Sequence, residues 1–277
     1  MRVFKVCVVI FLFAFSVSAV ARVEASKFLN EAQLKLVKKQ LNSKEFYFDE
    51  AYARGKLSDG QDYLAINYLT QEDVEYNDKQ FSDEQLFINR CAIFKQNKGV
   101  WQKVAVSPLF RIGGVRSTFS CMVYKSNLVV DVSDSSGSSW GSTIYKFDHH
   151  LNLVGVDRYA LLANSKDEGT VFTETINSVN LLTKKAIFSA KQGRKLKEWA
   201  ESDMPSILIG RVVKPYKYRE FSKAFGEPIH FTYSNFDEEK YGKWVELNEW
   251  EGYWDENLKF KCGHYDKDIN FVACKPK

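Results

Sequence analysis

The hydrophobic positions of this chain follow two different periods. From Leu29 to Leu41 apolar residues recur every three or four positions, which indicates one face of a helix. Asn30 stands at the start of this stretch and Gln33 follows three residues later, a spacing that predicts a capping box. From Phe46 onward apolar and polar residues alternate, as in strands that bury one face. The pattern therefore predicts one helix followed by a long series of strands.

The alternating stretches are short, and residues typical of turns separate them. One such turn, at residues 95–99, ends on a glycine where a left-handed backbone is needed. Strands at this spacing predict a mainly β fold, either an antiparallel sandwich or a barrel-like sheet, with the helix at its N-terminal end. The predicted strands cover residues 63–69, 86–94, 100–106, 117–124, 128–132, 142–147, 151–156, 171–182 and 185–190.

Composition divides the chain into three regions. We predict a signal peptide over residues 1–21 and a β-rich main domain, including the helix, over residues 22–200. After a break that ends at Pro205, residues 206–277 are predicted to form a small β-rich subdomain with its own disulfide, although a single continuous domain is the alternative. Aromatic residues are concentrated in this last region: Tyr216, Tyr218, Phe221, Phe225, Phe231, Tyr233, Phe236, Tyr241, Trp244, Trp250, Tyr253 and Trp254.

The N-terminus has the three parts of a secretory signal. Arg2 and Lys5 are basic, an uncharged apolar run follows from Val6 to Val17, and Ala19-Val20-Ala21 provides the small residues at a cleavage site. The apolar run is shorter than the roughly 20 residues of a membrane-spanning helix, so an uncleaved anchor is the weaker interpretation. No asparagine begins an N-x-S/T sequon, which favours a bacterial periplasm over a eukaryotic secretory route. The predicted location is the periplasm.

Net charge limits the classes of partner. The formal charge of the chain is +4, and cleavage after residue 21 would remove two basic residues and no acid. A chain this close to neutral lacks the basic surface that nucleic acid requires. No second apolar segment is long enough to cross a bilayer. We therefore predict neither a nucleic-acid partner nor a membrane span after signal cleavage.

Four cysteines remain after the predicted cleavage: Cys91, Cys121, Cys262 and Cys274. An even number in an exported chain predicts two disulfides. Of the three possible connectivities we favour Cys91–Cys121 and Cys262–Cys274, because each pair joins neighbouring predicted strands. A metal cluster is the alternative, but the chain has no C-x-x-C spacing. No metal and no cofactor is predicted.

Gly137-Ser138-Ser139-Trp140-Gly141 matches the G-x-S-x-G pattern of serine hydrolases. In those enzymes the serine stands on a sharp turn between a strand and a helix. Here the residues that follow, 142–147, alternate as a strand does, so the sequence offers no helix to complete the site. A nucleophile at Ser139 is therefore an alternative hypothesis, and no catalytic residue is predicted.

The same stretch suits the recognition of another protein. Residues 134–142 join two predicted strands with small hydrogen-bonding residues and one large aromatic ring. Serine and glycine adapt to a partner, and tryptophan anchors an interface at a low cost in conformational entropy. The alternative is an ordinary hairpin tip whose tryptophan folds back onto the sheet. The predicted partner-binding residues are Ser136, Gly137, Ser138, Ser139 and Trp140.

Three stretches lie within residues 128–190: residues 140–147, the Leu-Val-Gly-Val-Asp strand at 153–157, and residues 176–185. Together they resemble a group of bacterial periplasmic β-rich proteins related to lysozyme inhibitors and hydrolase-immunity proteins. Lysozyme inhibitors of this group have an S-G-x-x-Y loop that enters the active-site cleft of the enzyme. Residues 136–140 are similar to this loop, with Trp140 in the place of the tyrosine. In the third stretch, Lys184 stands where the group usually has glycine.

This resemblance implies stoichiometric inhibition without turnover. The leading hypothesis is a periplasmic protein that inhibits, or confers immunity to, a hydrolase or toxin acting on the cell envelope, such as a muramidase, an amidase or a lipase. Two alternatives are a secreted serine hydrolase that uses Ser139 and a non-catalytic envelope protein that binds glycans through surface aromatic residues.

Overall fold

The structure of the 277-residue chain is a computed structural model. It describes residues 29–41, 46–70, 87–108, 110–112, 118–136, 139–166, 169–193, 217–248, 252–255, 257–266 and 270–274. The predicted signal peptide and the predicted break at 194–205 lie outside these residues. Among them, no helix is long and apolar enough to span a membrane.

The described chain is mainly β, as the alternating pattern predicts. Helix α1 covers Glu31–Gln40, and a second helix, α2, covers Glu238–Leu247. The first strands are β1 (Phe46–Lys56), β2 (Asp62–Thr70), β3 (Phe87–Asn97), β4 (Val100–Val106), β5 (Phe110–Ile112) and β6 (Thr118–Tyr124). The next are β7 (Asn127–Ser136), β8 (Ser139–Phe147), β9 (Leu153–Lys166), β10 (Gly169–Asn180), β11 (Lys185–Gly193) and β12 (Lys217–Ala224). The last are β13 (Gly252–Trp254), β14 (Phe260–Tyr265) and β15 (Phe271–Ala273).

In the described part of the chain these strands form three antiparallel sheets. The first has the order β1-β2-β3-β4, with β5 paired to β3, and the second has the order β12-β11-β10-β9-β8-β7-β6. A small C-terminal sheet has the order β13-β14-β15. Among the described strands neither large sheet closes on itself, so this part of the fold consists of open layers. The predicted mainly β, antiparallel fold is confirmed.

Helix α1 begins where its capping box is predicted. The side chain of Asn30 accepts from the Gln33 backbone N–H at 2.9 Å, and the Gln33 side chain accepts from the Asn30 N–H at 3.0 Å. The helix buries Val37 against the first sheet. The Gln40 side chain donates to the Trp101 carbonyl at 2.8 Å and accepts from the Lys103 backbone N–H at 2.7 Å, which docks the helix on β4.

The main hydrophobic core lies between the two large sheets. It includes Ala65 and Ile93 from the first sheet and Val130 and Phe147 from the second, all of them buried. A smaller cluster lies between α1 and the outer side of the first sheet. A third lies on the outer side of the seven-stranded sheet and is called here the outer-face cluster; its buried residues are Met122, Val129, Ile144, Tyr159 and Leu161.

The C-terminal region contributes to the main core. Tyr233, Phe236 and Tyr241 are buried in the same cluster as the strands of both large sheets. The predicted independence of residues 206–277 stays a prediction, while the packing shows that Tyr233, Phe236 and Tyr241 share the main core. Aromatic rings that face this core cannot serve as exposed stacking platforms for glycans.

Helix α2 lies in the region that the sequence predicts to be a β-rich subdomain, where no helix was predicted. Its N-cap is Asp237, whose side chain accepts from the Lys240 backbone N–H at 2.9 Å. Tyr241 and Val245, four residues apart, are its buried positions. This local signal for a helix was present in the sequence, but the surrounding aromatic residues favour strands and obscure it.

A hydrogen bond attaches the first turn of α2 to the seven-stranded sheet. The Tyr145 hydroxyl donates to Glu238 Oε1 at 3.1 Å. Burial raises the pKa of the Glu238 carboxyl, while the Tyr145 hydrogen bond and the charge of Arg158 act in the opposite direction. The Arg158 guanidinium also lies 5.8 Å from the centre of the Tyr241 ring. These contacts hold the C-terminal helix against the sheet.

Both predicted cysteine pairings are confirmed. Cys91 and Cys121 form a disulfide with their Cα atoms 6.4 Å apart, and Cys262 and Cys274 form another with Cα atoms 5.3 Å apart. The first joins β3 to β6 and therefore links the two large sheets through the buried core. The second joins β14 to the residue after β15 in the small C-terminal sheet.

A charged cluster stabilises the turn between β1 and β2. Asp59 accepts from Lys95 Nζ at 2.8 Å, from the Tyr63 hydroxyl at 2.9 Å and from the Gln61 backbone N–H at 3.0 Å. Burial acts to raise the pKa of Asp59, but these hydrogen bonds and the Lys95 charge outweigh it and lower the pKa to about 2. The contacts favour the ionised carboxylate in the folded state.

We expect Asp59→Asn to lower the free energy of unfolding at neutral pH, and we expect this difference from the wild type to become smaller in acid. Because the folded pKa of Asp59 lies below its ordinary value of 3.8, the stabilisation is complete above pH 4 and is lost as the pH falls toward 2. The Asp59 and Lys95 side chains are 18% and 35% exposed, so the expected loss in the free energy of unfolding at pH 7 is only about 1 kcal/mol. The free energy of unfolding of both proteins, measured by urea denaturation from pH 7 to pH 2, tests this. A difference that grows on acidification would contradict it.

Candidate functional site

The predicted binding residues lie at the end of the hairpin formed by β7 and β8. Ser136 pairs with Ser139, Ser135 with Trp140, and Asp134 with Gly141. Gly137 and Ser138 fall outside the described residues. The sequence predicted a loop over 134–142, and this boundary is wrong because both strands continue to the hairpin end. Pairing with β9, in which Ser139 lies opposite Leu162, holds these polar residues in the sheet.

Trp140 is half-buried and packs on the outer face of the seven-stranded sheet. Its ring meets the Tyr159 ring edge-on, with centroids 5.0 Å apart, and it lies against the outer-face cluster. The tryptophan therefore folds back onto the sheet, which is the alternative that the sequence left open. Only part of its ring remains available to a partner.

Ser139 and Trp140 face opposite sides of the sheet, because successive side chains of a strand alternate. Trp140 lies on the side of Ile144 in the outer-face cluster, and Ser139 lies on the side of Tyr145 in the main core. Leu162, paired with Ser139, shares its side and is 46% exposed. The hairpin end thus offers apolar surface on both sides, with the small side chain of Ser139 next to Leu162.

Leu162 is a candidate binding residue that the sequence did not single out. It lies in the middle of an apolar stretch, where an exposed leucine cannot be distinguished from a buried one. Its exposure follows from its position beyond the main core, at the level of the β7–β8 hairpin end.

A buried carboxylate stabilises the base of this hairpin. Asp131 accepts hydrogen bonds from the Ser133 hydroxyl at 3.0 Å and from the Ser142 hydroxyl at 2.5 Å, and all three side chains are buried. Ser133 and Ser142 lie opposite each other in the two strands. The network therefore joins β7 to β8 two positions before the pair of Ser135 and Trp140. Its rigidity would reduce the entropy that the hairpin loses on binding.

The surroundings of Ser139 differ from those of a hydrolase nucleophile. A nucleophile elbow places the serine on a turn between a strand and a helix. Ser139 instead begins β8, which continues as a strand to Phe147. Ser139 lies within an antiparallel sheet, paired with Ser136 in β7 and with Leu162 in β9.

His149 and His150 lie next to each other in the turn between β8 and β9. The rings of His149 and His150 are 3.8 Å apart between their centroids, and His149 Nδ1 hydrogen-bonds the Ser58 hydroxyl at 2.8 Å. Among the residues described, no group of three or more His, Cys, Asp or Glu side chains could hold a metal ion.

Comparison of the chain with known protein families, with curated proteins and with solved structures finds no match. The resemblance of residues 128–190 to lysozyme inhibitors and hydrolase-immunity proteins therefore stays a prediction.

Proposed function

We propose that this chain is an exported binding protein of the periplasm. In this proposal it inhibits, or confers immunity to, a hydrolase or toxin that attacks the cell envelope, by forming a stoichiometric complex. Two disulfides are compatible with an oxidising compartment, where such bonds form and persist. The mainly β fold supplies a rigid scaffold on which a binding hairpin can be presented.

The observation that supports this proposal most is the two-sided apolar surface of the β7–β8 hairpin end. A flat partner surface could contact either Trp140 or Leu162, but not both, since they lie on opposite sides of the sheet. A cleft has two walls and can contact both residues at once. The active sites of enzymes that cleave polymers are clefts, and the small side chain of Ser139 leaves room for the hairpin to enter.

The test measures binding of the purified protein to a panel of muramidases, amidases and lipases, together with inhibition of each. We expect Ser139→Arg to weaken binding to the cognate enzyme by at least about tenfold, because the long side chain blocks entry to the cleft. Trp140→Ala is a poorer first variant, since it also removes the packing on Tyr159. A suitable control is Thr183→Arg, which adds the same side chain at an exposed position in the turn between β10 and β11.

Two results would overturn the proposal. The first is equal binding by the wild-type protein, Ser139→Arg and Thr183→Arg, or no binding by any of them. The second is covalent labelling by a fluorophosphonate that Ser139→Ala abolishes, because it would identify Ser139 as a nucleophile and the protein as a hydrolase.

A further inference from the structure

Strand β12 forms one edge of the seven-stranded sheet. It pairs with β11 from Lys185 opposite Ala224 to Gln192 opposite Lys217, and within the described residues no other strand pairs with it. As far as the described residues show, the outer edge of β12 therefore has no partner strand, and its backbone N–H and C=O groups can pair with an added one. Its side chains are exposed along the whole strand, except for the half-buried Lys223.

The side chains of β12 form two rows of different character. One row contains Lys217, Arg219, Phe221 and Lys223, which are three cations and one aromatic ring without an acid. Phe221 is 44% exposed, yet its ring is held in place by Phe188 and Phe260, at centroid distances of 5.9 and 5.7 Å. This basic row thus has a fixed apolar centre with positive charge on both sides. The Arg219 guanidinium donates to the Tyr218 carbonyl at 3.1 Å and the Lys223 ammonium to the Asn248 carbonyl at 2.9 Å, so both charges are held beside the strand.

The opposite row of β12 is different. The Tyr218 hydroxyl donates to Glu220 Oε2 at 2.6 Å, so the one acidic side chain of the strand has a hydrogen-bond donor within its own row. Ser222 and Ala224 complete the row. The attraction for a charged partner therefore lies on the basic row.

A second copy of the chain does not fit this edge. Two copies of β12 paired about a two-fold axis would place residues of the same row opposite each other. Two registers pair most of the strand. In one of them Lys217 lies opposite Lys223, and in the other Arg219 lies opposite Lys223. Like charges directly opposite in a sheet are destabilising. The charges favour a partner of opposite sign.

We propose that the free edge of β12 binds an extended acidic segment of a partner protein, which adds to the sheet as a further strand. The segment has carboxylates at alternate positions, opposite the three cations, and an apolar residue opposite Phe221. Hydrogen bonds between the backbones provide affinity, and the basic row selects the sequence. This edge is four strands from β8, or about 19 Å at ordinary strand spacing. It is separate from the hairpin end and does not depend on the function proposed for it.

The probe is a synthetic peptide of sequence Glu-Thr-Val-Lys-Glu-Thr-Glu, with a fluorescent label, titrated with the purified full-length protein. We expect saturable binding, weakened about tenfold or more by Arg219→Glu and left unchanged by Lys35→Glu. Lys35 is exposed on α1, so this control makes the same change of charge far from the edge. The doubly reversed protein, Lys217→Glu with Arg219→Glu, should prefer the peptide whose glutamates are replaced with lysine.

Two further measurements distinguish strand addition from loose attraction between charges. Two methylated peptides are compared, one with methyl groups on the backbone nitrogens of its odd-numbered residues and one with them on its even-numbered residues. Because only one set of N–H groups faces β12, one of these peptides should lose binding and the other should keep it. Amide hydrogen exchange of β12 should slow when the peptide is bound. Three results would overturn the proposal: equal binding by wild type and Arg219→Glu, unchanged binding of both methylated peptides, or no binding at all. The last result would indicate that the charges only protect the edge from aggregation.

Discussion

Replacing Tyr233 with alanine is expected to lower the free energy of unfolding by about 3–5 kcal/mol. Tyr233 is fully buried, and its ring meets the Phe147 ring edge-on with centroids 5.2 Å apart. Its hydroxyl donates to the Cys91 carbonyl oxygen at 3.1 Å. The substitution leaves a cavity in the main core and removes a donor from a buried carbonyl. Denaturation in urea, followed by fluorescence and circular dichroism, measures the effect.

This variant also tests whether the C-terminal region folds separately. Because Tyr233 contacts residues of both large sheets, we expect the single transition of the whole protein to shift to lower urea concentration. Tyr218→Ala is the matched control, since Tyr218 is 45% exposed and its loss should change stability little. If Tyr233→Ala removed only a small separate transition and left the main one in place, the shared core would be disproved.

Removal of the Cys91–Cys121 disulfide by a double substitution to alanine should cost about 4 kcal/mol, and removal of Cys262–Cys274 about 3 kcal/mol. The difference follows from the lengths of chain that the bonds close, with sequence separations of 30 and 12 residues. The longer loop has more conformational entropy in the unfolded chain, and its cross-link removes more of it. Urea denaturation of the two double variants under non-reducing conditions tests the order.

Accessibility provides an independent check on the two disulfides. Cys91 and Cys121 are buried, whereas Cys262 and Cys274 are half-buried. A mild reductant should therefore open Cys262–Cys274 first, as alkylation and mass measurement of the native protein would show. Faster alkylation of Cys91 and Cys121, or greater destabilisation by loss of the C-terminal bond, would contradict this interpretation.

Local patterns predicted much of the fold. The capping box at Asn30 and Gln33 is confirmed because it depends on residues three positions apart. The strands of residues 118–193 are confirmed because their alternation persists over six segments. Gly99 has a φ angle of 82° in the turn between β3 and β4, as its place in the sequence predicts. In each case neighbouring residues contain the necessary information.

The candidate site shows where local information ends. Serine and glycine near Trp140 favour a loop by composition, yet β9 pairs with this segment and extends the strands to Ser136 and Ser139. The partner strand is about 20 residues away in sequence, and a single sequence does not reveal the register. For the same reason Leu162 was not identified as a surface residue.

The sequence by itself determined the class of fold, the start of the first helix and the Cys262–Cys274 pairing, because these depend on short-range periodicity and on adjacent strands. The Cys91–Cys121 pairing is also confirmed, but its strands are not neighbours as the sequence predicted, since β3 and β6 belong to different sheets. Tertiary structure alone decided which aromatic residues are buried. It brought Tyr233 and Tyr241 into the main core, left Phe221 exposed on β12, and turned Trp140 onto Tyr159. The amino-acid type determines how much apolar surface a side chain has. Which surface covers it depends on the register and order of strands that lie far apart along the chain.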